Sequence, residues 1–227
     1  MIKAILFDLD GTLLDRDRSL REFANIQHNR LNRSLCHIPK TEYVSRLIEL
    51  DCRGHVWKDK VYQRLVEEFD ISTVTWEALL EDYITQFQHH CVPFDGLDTT
   101  LKALKQAGYL LGLVTNGRGT FQRRSIEGLG IRDYFDTVVV SEEVQLRKPQ
   151  IEIFQKALDE LNVRAGDSVF VGDNPEADIV GAKTAGMKAI WRYTCGKEEP
   201  EAADAVVNAL NEILPIVGFL AEEYPDR

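Results

Sequence analysis

The hydrophobic pattern of residues 16–92 has the period of an α-helix. Apolar residues recur there at three- and four-residue spacing, and the pattern breaks near Pro39 and again at residues 51–54. We therefore predict a bundle of four helices, which start near Leu20, Thr41, Val56 and Thr75. The two threonines are expected to be N-caps, because a threonine hydroxyl can accept a hydrogen bond from an amide of the first helical turn.

The rest of the chain alternates short apolar runs with helical segments, which is typical of a parallel α/β sheet. The first run, Ala4 to Phe7, is apolar throughout and predicts a strand buried on both faces. Further strands are predicted over residues 109–114, 137–140, 168–171, 188–190 and 205–207, with helices over 97–107, 120–129, 151–161, 177–185 and from Leu210. The predicted fold class is α/β, with a Rossmann-like core domain of residues 1–15 and 93–227 and an inserted all-helical domain of residues 16–92.

Length and charge narrow the class of protein. The chain has 227 residues, of which 44% are hydrophobic, so it can bury a full core. Its formal charge of −10 argues against a broad nucleic-acid or anionic-membrane surface. No apolar run approaches the roughly 18–20 residues that span a bilayer, and no leader-like segment precedes the first strand. We therefore expect a cytoplasmic protein that binds neither nucleic acid nor membrane.

The cysteines point to a reducing compartment. None of them has Cys-x-x-Cys spacing, so free thiols are predicted at Cys36, Cys52, Cys91 and Cys195. The run His89-His90-Cys91 contains zinc-ligand types, but no second pair of ligands lies at a suitable spacing. A zinc site is therefore disfavoured.

Two carboxylates follow the first strand, in the run Asp8-Leu9-Asp10-Gly11-Thr12. In an open parallel sheet, ligands bind beyond the carboxyl ends of the strands, so Asp8 and Asp10 lie where such a fold does its chemistry. Carboxylates this close repel each other, and the pair therefore indicates a shared proton or a hard metal ion. Gly11 permits a sharp turn or a close approach of a ligand. The alternative is an ordinary Asp-Gly turn without a functional role.

Three later segments also place polar residues at the ends of predicted strands or the start of a helix. Thr115-Asn116-Gly117 follows the second strand, where a hydroxyl and backbone amides can form an anion-binding cradle. Lys148 precedes Pro149 at the start of a helix, where the helix dipole disfavours a cation and an anionic partner is expected. Asp173 and Asp178 follow the fourth strand. Taken singly, the first segment could be a plain turn and Asp178 a helix starter.

These four motifs, in this order, resemble those of the haloacid dehalogenase-like (HAD) superfamily of hydrolases, in its phosphatase branch with a helical cap. The resemblance spans residues 4–190 and implies hydrolysis of a small phosphorylated metabolite. It implies that Asp8 is the nucleophile, that Asp10 is the general acid and base, and that Mg²⁺ is held by Asp8, Asp173 and the backbone carbonyl of Asp10. The implied phosphate-binding residues are Thr115, Asn116 and Lys148, and the supporting residues are Gly11, Thr12, Asn174 and Asp178.

The resemblance also implies that residues 16–92 form a cap domain, a lid that closes over the site and contacts the leaving group of the substrate. Substrate choice is therefore expected to depend on this domain. Its candidate contact residues, chosen because they look exposed, are Arg18, Arg53, Trp57, Lys58 and Lys60. Solvent exposure or packing would explain each of them alone.

Other activities stay open at this point. A sugar phosphomutase would keep all four motifs, and a phosphonate hydrolase would need an imine-forming cap lysine, for which Lys40, Lys58 and Lys60 are available. The dehalogenating branch of the superfamily lacks an acid at the position of Asp10, which disfavours dehalogenation. A non-catalytic phospho-ligand binder is the remaining alternative, because fold does not imply function. The sequence indicates neither the phosphate ester nor the oligomeric state.

Overall fold

The computed structural model describes residues 1–193, 196 and 198–222. Within it the chain divides into two compact units, one of Met1–Asp15 with Pro93–Arg227 and one of Arg16–Val92. Both boundaries lie where the hydrophobic pattern changes between strand-and-helix alternation and a purely helical period. We call them the core unit and the helical unit.

The core unit is built on one six-stranded parallel sheet. Its strands are β1 Ala4–Phe7, β2 Leu110–Thr115, β3 Thr137–Val140, β4 Ser168–Gly172, β5 Lys188–Arg192 and β6 Ala205–Val207. The order across the sheet is β3-β2-β1-β4-β5-β6, and every neighbouring pair is parallel. The first strand is central, with Phe7 in register with Leu113 of β2 and Val171 of β4. The predicted α/β class with a Rossmann-like parallel sheet is confirmed.

The helical unit contains five α-helices, one more than predicted. They are α1 Arg16–Arg30, α2 Asn32–Leu35, α3 Lys40–Asp51, α4 Lys58–Glu68 and α5 Trp76–Gln86. The additional helix, α2, is a single turn and too short to show a hydrophobic period. Thr75 caps α5 as predicted, since its side chain accepts a hydrogen bond from the amide of Ala78. The prediction for Thr41 is wrong, because the chain leaves extended backbone at Pro39 and Thr41 already lies in the first turn of α3.

A buried ion cluster lies inside the helical unit, and we call it the Asp51 cluster (Arg16, Asp51, Lys58 and the amide of Gly54). The guanidinium of Arg16 donates two hydrogen bonds to the Asp51 carboxylate, of 2.7 and 2.9 Å, and Lys58 donates another. The amide of Gly54 adds a fourth bond of 2.9 Å. Asp51 thereby holds the turn Cys52–Gly54, whose three residues have positive φ angles of 47°, 54° and 85°.

The helices of the core unit pack around the sheet. Within the described residues they are α6 Leu97–Gln106, α7 Gly119–Gly128, α8 Ser141–Val144, α9 Ile151–Leu161, a π-helix Pro175–Val180, α10 Gly181–Thr184 and α11 Ile213–Glu222. The predicted helix over 177–185 is thus two segments that start two residues earlier. The earlier start is explained by Asn174, whose side-chain oxygen accepts hydrogen bonds from the amides of Glu176 and Ala177. The short helix α8 was not predicted, and a 3₁₀ turn, Leu210–Glu212, precedes α11.

Two remaining expectations concern thiols and membrane spans. Cys36, Cys52 and Cys91 are free thiols, and Cys195 lies outside the described residues. None of the helices within the described residues combines the length and the apolar character that crossing a bilayer requires.

Candidate active site

The predicted site residues of the first, second and fourth motifs follow β1, β2 and β4, at the same edge of the sheet. Asp8 is buried directly after β1, and its amide donates a hydrogen bond of 2.9 Å to the carbonyl of Val171 in the neighbouring β4. Because all strands are parallel, their carboxyl ends meet at one edge, which brings together residues that are far apart in the chain.

Lys148 connects two of these carboxylates. Its ammonium nitrogen lies 2.6 Å from Oδ1 of Asp8 and 2.7 Å from Oδ1 of Asp178, and the side chain is almost fully buried. The peptide bond between Lys148 and Pro149 is cis. The expected anionic partner of this lysine is therefore present within the protein itself.

Asn116 holds the backbone of Lys148 in place. Its side-chain oxygen accepts a hydrogen bond of 3.0 Å from the amide of Lys148, and its side-chain nitrogen donates one of 3.1 Å to the carbonyl of Lys148. The amide side chain is thus engaged with the lysine. The contact between Asn116 and phosphate stays a prediction, and we assign it to the backbone amide of Asn116.

Electrostatics at Asp8 depend on its neighbours. Burial raises the pKa of Asp8 well above its usual value; the positive charge of Lys148 lowers this pKa, and the negative charges of Asp178 and Asp173 raise it further. For Lys148, burial lowers the pKa, but the charges of Asp178 and Asp8 outweigh burial and hold the pKa above its usual value. The lysine is therefore a stable cation, and a further positive charge would favour the ionised form of Asp8.

Three carboxylates form a candidate metal centre. Asp8, Asp173 and Asp178 each offer an oxygen, and these atoms lie within 4.8 Å of one another. Both oxygens of Asp178 already have partners, because Oδ1 contacts Lys148 and Oδ2 accepts a hydrogen bond of 2.9 Å from the amide of Asn174. In the part of the chain that the structure describes, His89-His90-Cys91 forms no such group.

Two glycines allow these carboxylates to approach the backbone. A Cβ atom on Gly11 would lie 2.7 Å from the carboxyl carbon of Asp173, and one on Gly172 would lie 2.4 Å from Cβ of Asp178. Gly11 also has a φ of +84°, which side-chain-bearing residues rarely adopt. The absence of a side chain at Gly11 thus lets Asp173 lie against this turn, and the supporting role of Gly11 stays a prediction.

The side chain of Asp10 faces a residue that sequence reasoning missed. Its Oδ2 accepts a hydrogen bond of 2.7 Å from the side-chain nitrogen of Gln122, which also lies 2.8 Å from the hydroxyl oxygen of Thr115. Gln122 belongs to α7 and is buried. Its position seven residues after Thr115 gave no signal, because a glutamine in a helix is usually solvated.

Arg192 was also missed, although it touches the first motif. The arginine ends β5, donates a hydrogen bond of 3.0 Å to the carbonyl of Gly11, and lies over the ring of Phe94 at 3.5 Å. Burial lowers the pKa of Arg192, whereas Asp173 and Asp15 raise it. Thr12, the supporting residue next to Gly11, is fully buried, and its hydroxyl makes no hydrogen bond to another described residue.

The candidate contact residues of the helical unit differ in exposure. Lys58 was expected to be exposed, and this is wrong, because the lysine is buried against Asp51. The others are exposed, namely Arg18, Arg53, Trp57 and Lys60. The structure gives Lys58 a structural partner, so it does not support an imine-forming role for this residue.

Comparison with known proteins agrees with the motifs. A family model described as "Haloacid dehalogenase-like hydrolase" matches residues 5–192. The chain is 33% identical to the glyceraldehyde 3-phosphate phosphatase of Pyrococcus furiosus, over 95% of this chain and 93% of the relative. The chain belongs to the haloacid dehalogenase-like hydrolase family. The predicted family and hydrolase class are thereby confirmed.

Solved structures of the family resemble the whole chain. A HAD phosphatase from Thermococcus onnurineus is 32% identical and has a TM-score of 0.68, with 96% of this chain and 98% of that chain covered. The HAD hydrolase YfnB from Bacillus subtilis, described as bound to magnesium, has a TM-score of 0.74 at 23% identity, with 95% and 98% covered. The second likeness concerns the fold alone.

Proposed function

We propose that the protein is a Mg²⁺-dependent phosphatase, which hydrolyses a small phosphomonoester through a phosphorylated Asp8. The contact between Asp8 and Lys148 carries this proposal. A buried carboxylate that is held by a buried cation, and crowded by two further acids, is a strained arrangement for a purely structural residue. It suits a nucleophile that must meet an anionic phosphate.

The donor set suits a magnesium ion. Mg²⁺ prefers a few carboxylate oxygens together with substrate oxygens and waters. Asp8, Asp10, Asp173 and Asp178 outnumber the cations Lys148 and Arg192, so the site has an excess of negative charge. We propose that Asp8, Asp173 and the backbone carbonyl of Asp10 hold the ion. When bound, Mg²⁺ would offset the repulsion between Asp8 and the phosphate and polarise the phosphoryl oxygens.

The reaction has two steps. In the first step, an oxygen of Asp8 attacks phosphorus while the bond from phosphorus to the ester oxygen breaks, and Asp10 gives its proton to the departing oxygen. In the second step, Asp10 takes a proton from a water molecule, whose oxygen attacks phosphorus and displaces the Asp8 carboxylate. Inorganic phosphate leaves, and both aspartates return to their starting states.

Lys148 and Thr115 would stabilise the charge that spreads over the phosphoryl oxygens. Lys148 supplies an ammonium group within contact of Asp8, and Thr115 supplies a buried hydroxyl at the end of β2. Such preorganised groups act mainly by positioning and electrostatics in phosphoryl transfer. Asn116 contributes by holding the backbone of the lysine.

The substrate is proposed to be a small phosphorylated metabolite. The relative from Pyrococcus furiosus is named for glyceraldehyde 3-phosphate, which makes this ester the first to test. Small sugar phosphates, phosphoglycolate and nucleoside monophosphates are the other classes. We further propose that residues 16–92 act as the cap domain that selects among them.

The test is phosphate release from these esters and from p-nitrophenyl phosphate, each with Mg²⁺ and with excess chelator. We expect release that requires the metal, and the ester with the largest kcat/KM would define the substrate class. Phosphate release that is unchanged by chelator would contradict the proposed metal dependence. Absence of release from every ester would contradict the proposed phosphatase activity. Formation of a fluoroberyllate adduct without release would instead favour a phosphomutase.

Exchange of the helical unit tests the cap proposal. We expect replacement of residues 16–92 by the corresponding segment of a family phosphatase that prefers a different ester to change the order of preferred esters while metal-dependent release continues. The ratio of kcat/KM values across the panel is the measurement. An unchanged order in an active, folded chimera would assign specificity to the core unit.

A further inference from the structure

Gln122 contacts two parts of the site that lie far apart in the chain. Its side-chain nitrogen lies 2.7 Å from Oδ2 of Asp10, 2.8 Å from the hydroxyl oxygen of Thr115 and 3.2 Å from the carbonyl oxygen of Asn116. The first of these residues follows β1, and the other two lie at the end of β2. A single buried amide group on α7 thus contacts the proposed acid and the proposed phosphate cradle together.

We propose that Gln122 is a positioning residue, which aims the carboxyl group of Asp10 and the hydroxyl hydrogen of Thr115 at the reacting phosphate ester. This role rests on the proposed phosphatase function. Gln122 would not touch the reacting atoms itself, and it would act through the two side chains that it holds.

The polarity of the hydrogen bond matters at Thr115. An amide nitrogen only donates, so the hydroxyl oxygen of Thr115 accepts from Gln122 and keeps its own hydrogen for another acceptor. Phosphoryl oxygens are acceptors only. If an acceptor stood in place of this nitrogen, the hydroxyl would donate to it and would be lost to the phosphate.

The same donor restricts Asp10. A hydrogen bond of 2.7 Å to Oδ2 holds the carboxyl group in one orientation and leaves Oδ1 as the oxygen for proton transfer to the leaving group. Proton transfer needs hydrogen-bond contact between the acid and the leaving oxygen, so a freely rotating carboxyl group would be a poorer acid.

The free-energy cost of burying the side chain of Gln122 favours a role in the site over a role in the stability of the fold. The oxygen of the Gln122 side chain is buried and has no hydrogen-bond partner among the described residues, which is destabilising for an amide. Space for the side chain depends on Gly117, since a Cβ atom there would lie 2.8 Å from Cγ of Gln122. A simple packing residue at this position would be apolar.

A positioning role of Gln122 can be distinguished from a structural role by how the loss of kcat/KM depends on the leaving group of the ester. An alkyl ester needs protonation of its leaving oxygen, whereas p-nitrophenolate leaves with little help from an acid. Misplacement of Asp10 therefore slows alkyl esters selectively. A general weakening of the fold, or of phosphate binding by Thr115, slows both kinds of ester alike.

The experiment compares Gln122→Met and Gln122→Glu with the matched control Gln155→Met, an exposed residue of α9. For each, kcat/KM is measured with Mg²⁺ for p-nitrophenyl phosphate and for the best alkyl ester of the panel, and the thermal unfolding midpoint is recorded. We expect Gln122→Met to lower kcat/KM about 100-fold for the alkyl ester and less than about 10-fold for the aryl ester. Gln122→Glu keeps the shape but places an acceptor beside both Asp10 and the Thr115 hydroxyl, so we expect losses for both esters and the larger loss for the alkyl ester. Gln155→Met should match the parent.

A second comparison tests the route through Asp10. In an Asp10→Asn background, adding Gln122→Met should leave the ratio of the two kcat/KM values unchanged, because the acid is already absent. Equal losses for both esters in both single variants would overturn the positioning of Asp10, and no loss for either ester would overturn the positioning role altogether. If the parent protein itself released no phosphate from either ester, the proposed phosphatase function would fail first, and the role of Gln122 with it. If Gln122→Met did not fold, the isosteric Gln122→Glu variant would decide.

Discussion

Each unit of the protein buries a contact between a lysine and an aspartate, and the two contacts lie in opposite electrostatic settings. In the Asp51 cluster, one carboxylate receives hydrogen bonds from Arg16, Lys58 and a backbone amide. At the edge of the sheet, one lysine contacts two carboxylates, with Asp173 close by. Hydrogen-bond donors outnumber the single carboxylate in the Asp51 cluster. At the edge of the sheet, negatively charged carboxylates outnumber the single lysine.

The two contacts share burial and ion pairing, and they differ in the balance of charge around them. Both lysines are buried, and both contact an aspartate within hydrogen-bond distance. The carboxylate of Asp51 accepts its hydrogen bonds from donors of the helical unit, where it holds a turn with positive φ angles. Asp8, in contrast, has a pKa raised by burial and by two neighbouring acids. The unmet excess of negative charge favours a metal ion, whose positive charge would then allow an anionic substrate to bind.

The largest effect is expected from Asp8→Asn. Loss of the nucleophile should lower kcat by about 10⁴-fold or more, measured as phosphate release with Mg²⁺. Because the carboxyl of Asp8 has a raised pKa, its ionised form opposes folding near neutral pH, so the metal-free variant should unfold at the same temperature or higher. Substantial activity in the variant would remove Asp8 from the role of nucleophile.

Replacement of Lys148 should damage both stability and activity. Lys148→Met leaves Asp8 and Asp178 buried without their shared cation, which should lower the free energy of unfolding by about 3–5 kcal/mol. Urea denaturation in metal-free buffer measures this, with exposed Lys102→Met as the control. A loss as small as that of the control would mean that the two carboxyl groups are protonated and need no cation.

Metal binding should distinguish the two clusters directly. At 100 times its dissociation constant, Mg²⁺ should raise the free energy of unfolding by about 2.7 kcal/mol, because it binds the folded state alone. Asp173→Asn should abolish most of this gain, and Asp51→Asn should retain it. Thermal unfolding with Mg²⁺ and with chelator is the measurement. A gain that survives Asp173→Asn would place the ion elsewhere.

The smallest effect is expected from Asp51→Asn. The amide keeps only one accepting oxygen, turns its NH2 group toward donors that the other oxygen had bound, and no longer offsets the charges of Arg16 and Lys58. The free energy of unfolding should therefore fall by about 2 kcal/mol. The kcat of the folded variant on p-nitrophenyl phosphate should stay close to that of the parent, since the contacts of Asp51 lie within the helical unit. A loss of kcat comparable to that of Asp8→Asn would show that the Asp51 cluster also serves catalysis.

Strand ends were the predictable part of the site. Asp8, Thr115 and Asp173 could be placed together from sequence, because parallel strands bring their carboxyl ends to one edge of the sheet regardless of how the helices pack. The strands themselves were predictable because their apolar runs are bounded by turn residues. Even the unpredicted residues of β5, Trp191 and Arg192, only extend a strand that the pattern had found.

The parts that could not be predicted depend on contacts of individual side chains. Gln122 reaches Asp10 only because of the rotational phase of α7 and the absence of a side chain on Gly117. Lys58 is buried because Asp51 happens to face it from another helix. The π-helix begins at Pro175 because the side-chain oxygen of Asn174 accepts hydrogen bonds from the amides of Glu176 and Ala177. Hydrophobic periodicity reports which face of an element is apolar, and it carries no information about such pairings.

The central position of β1 has a consequence for the order of folding. Ala4 pairs with Leu110 on one side and with Ser168 on the other, both more than a hundred residues away in the chain. Contacts at such separations form late, because closing a long loop costs more entropy than closing a short one. The helices of residues 16–92 pack within their own segment, so their contacts close shorter loops and can form first. The strand that carries the proposed nucleophile, although it precedes its partner strands in the chain, is therefore expected to complete its pairing only after Ser168 has been made.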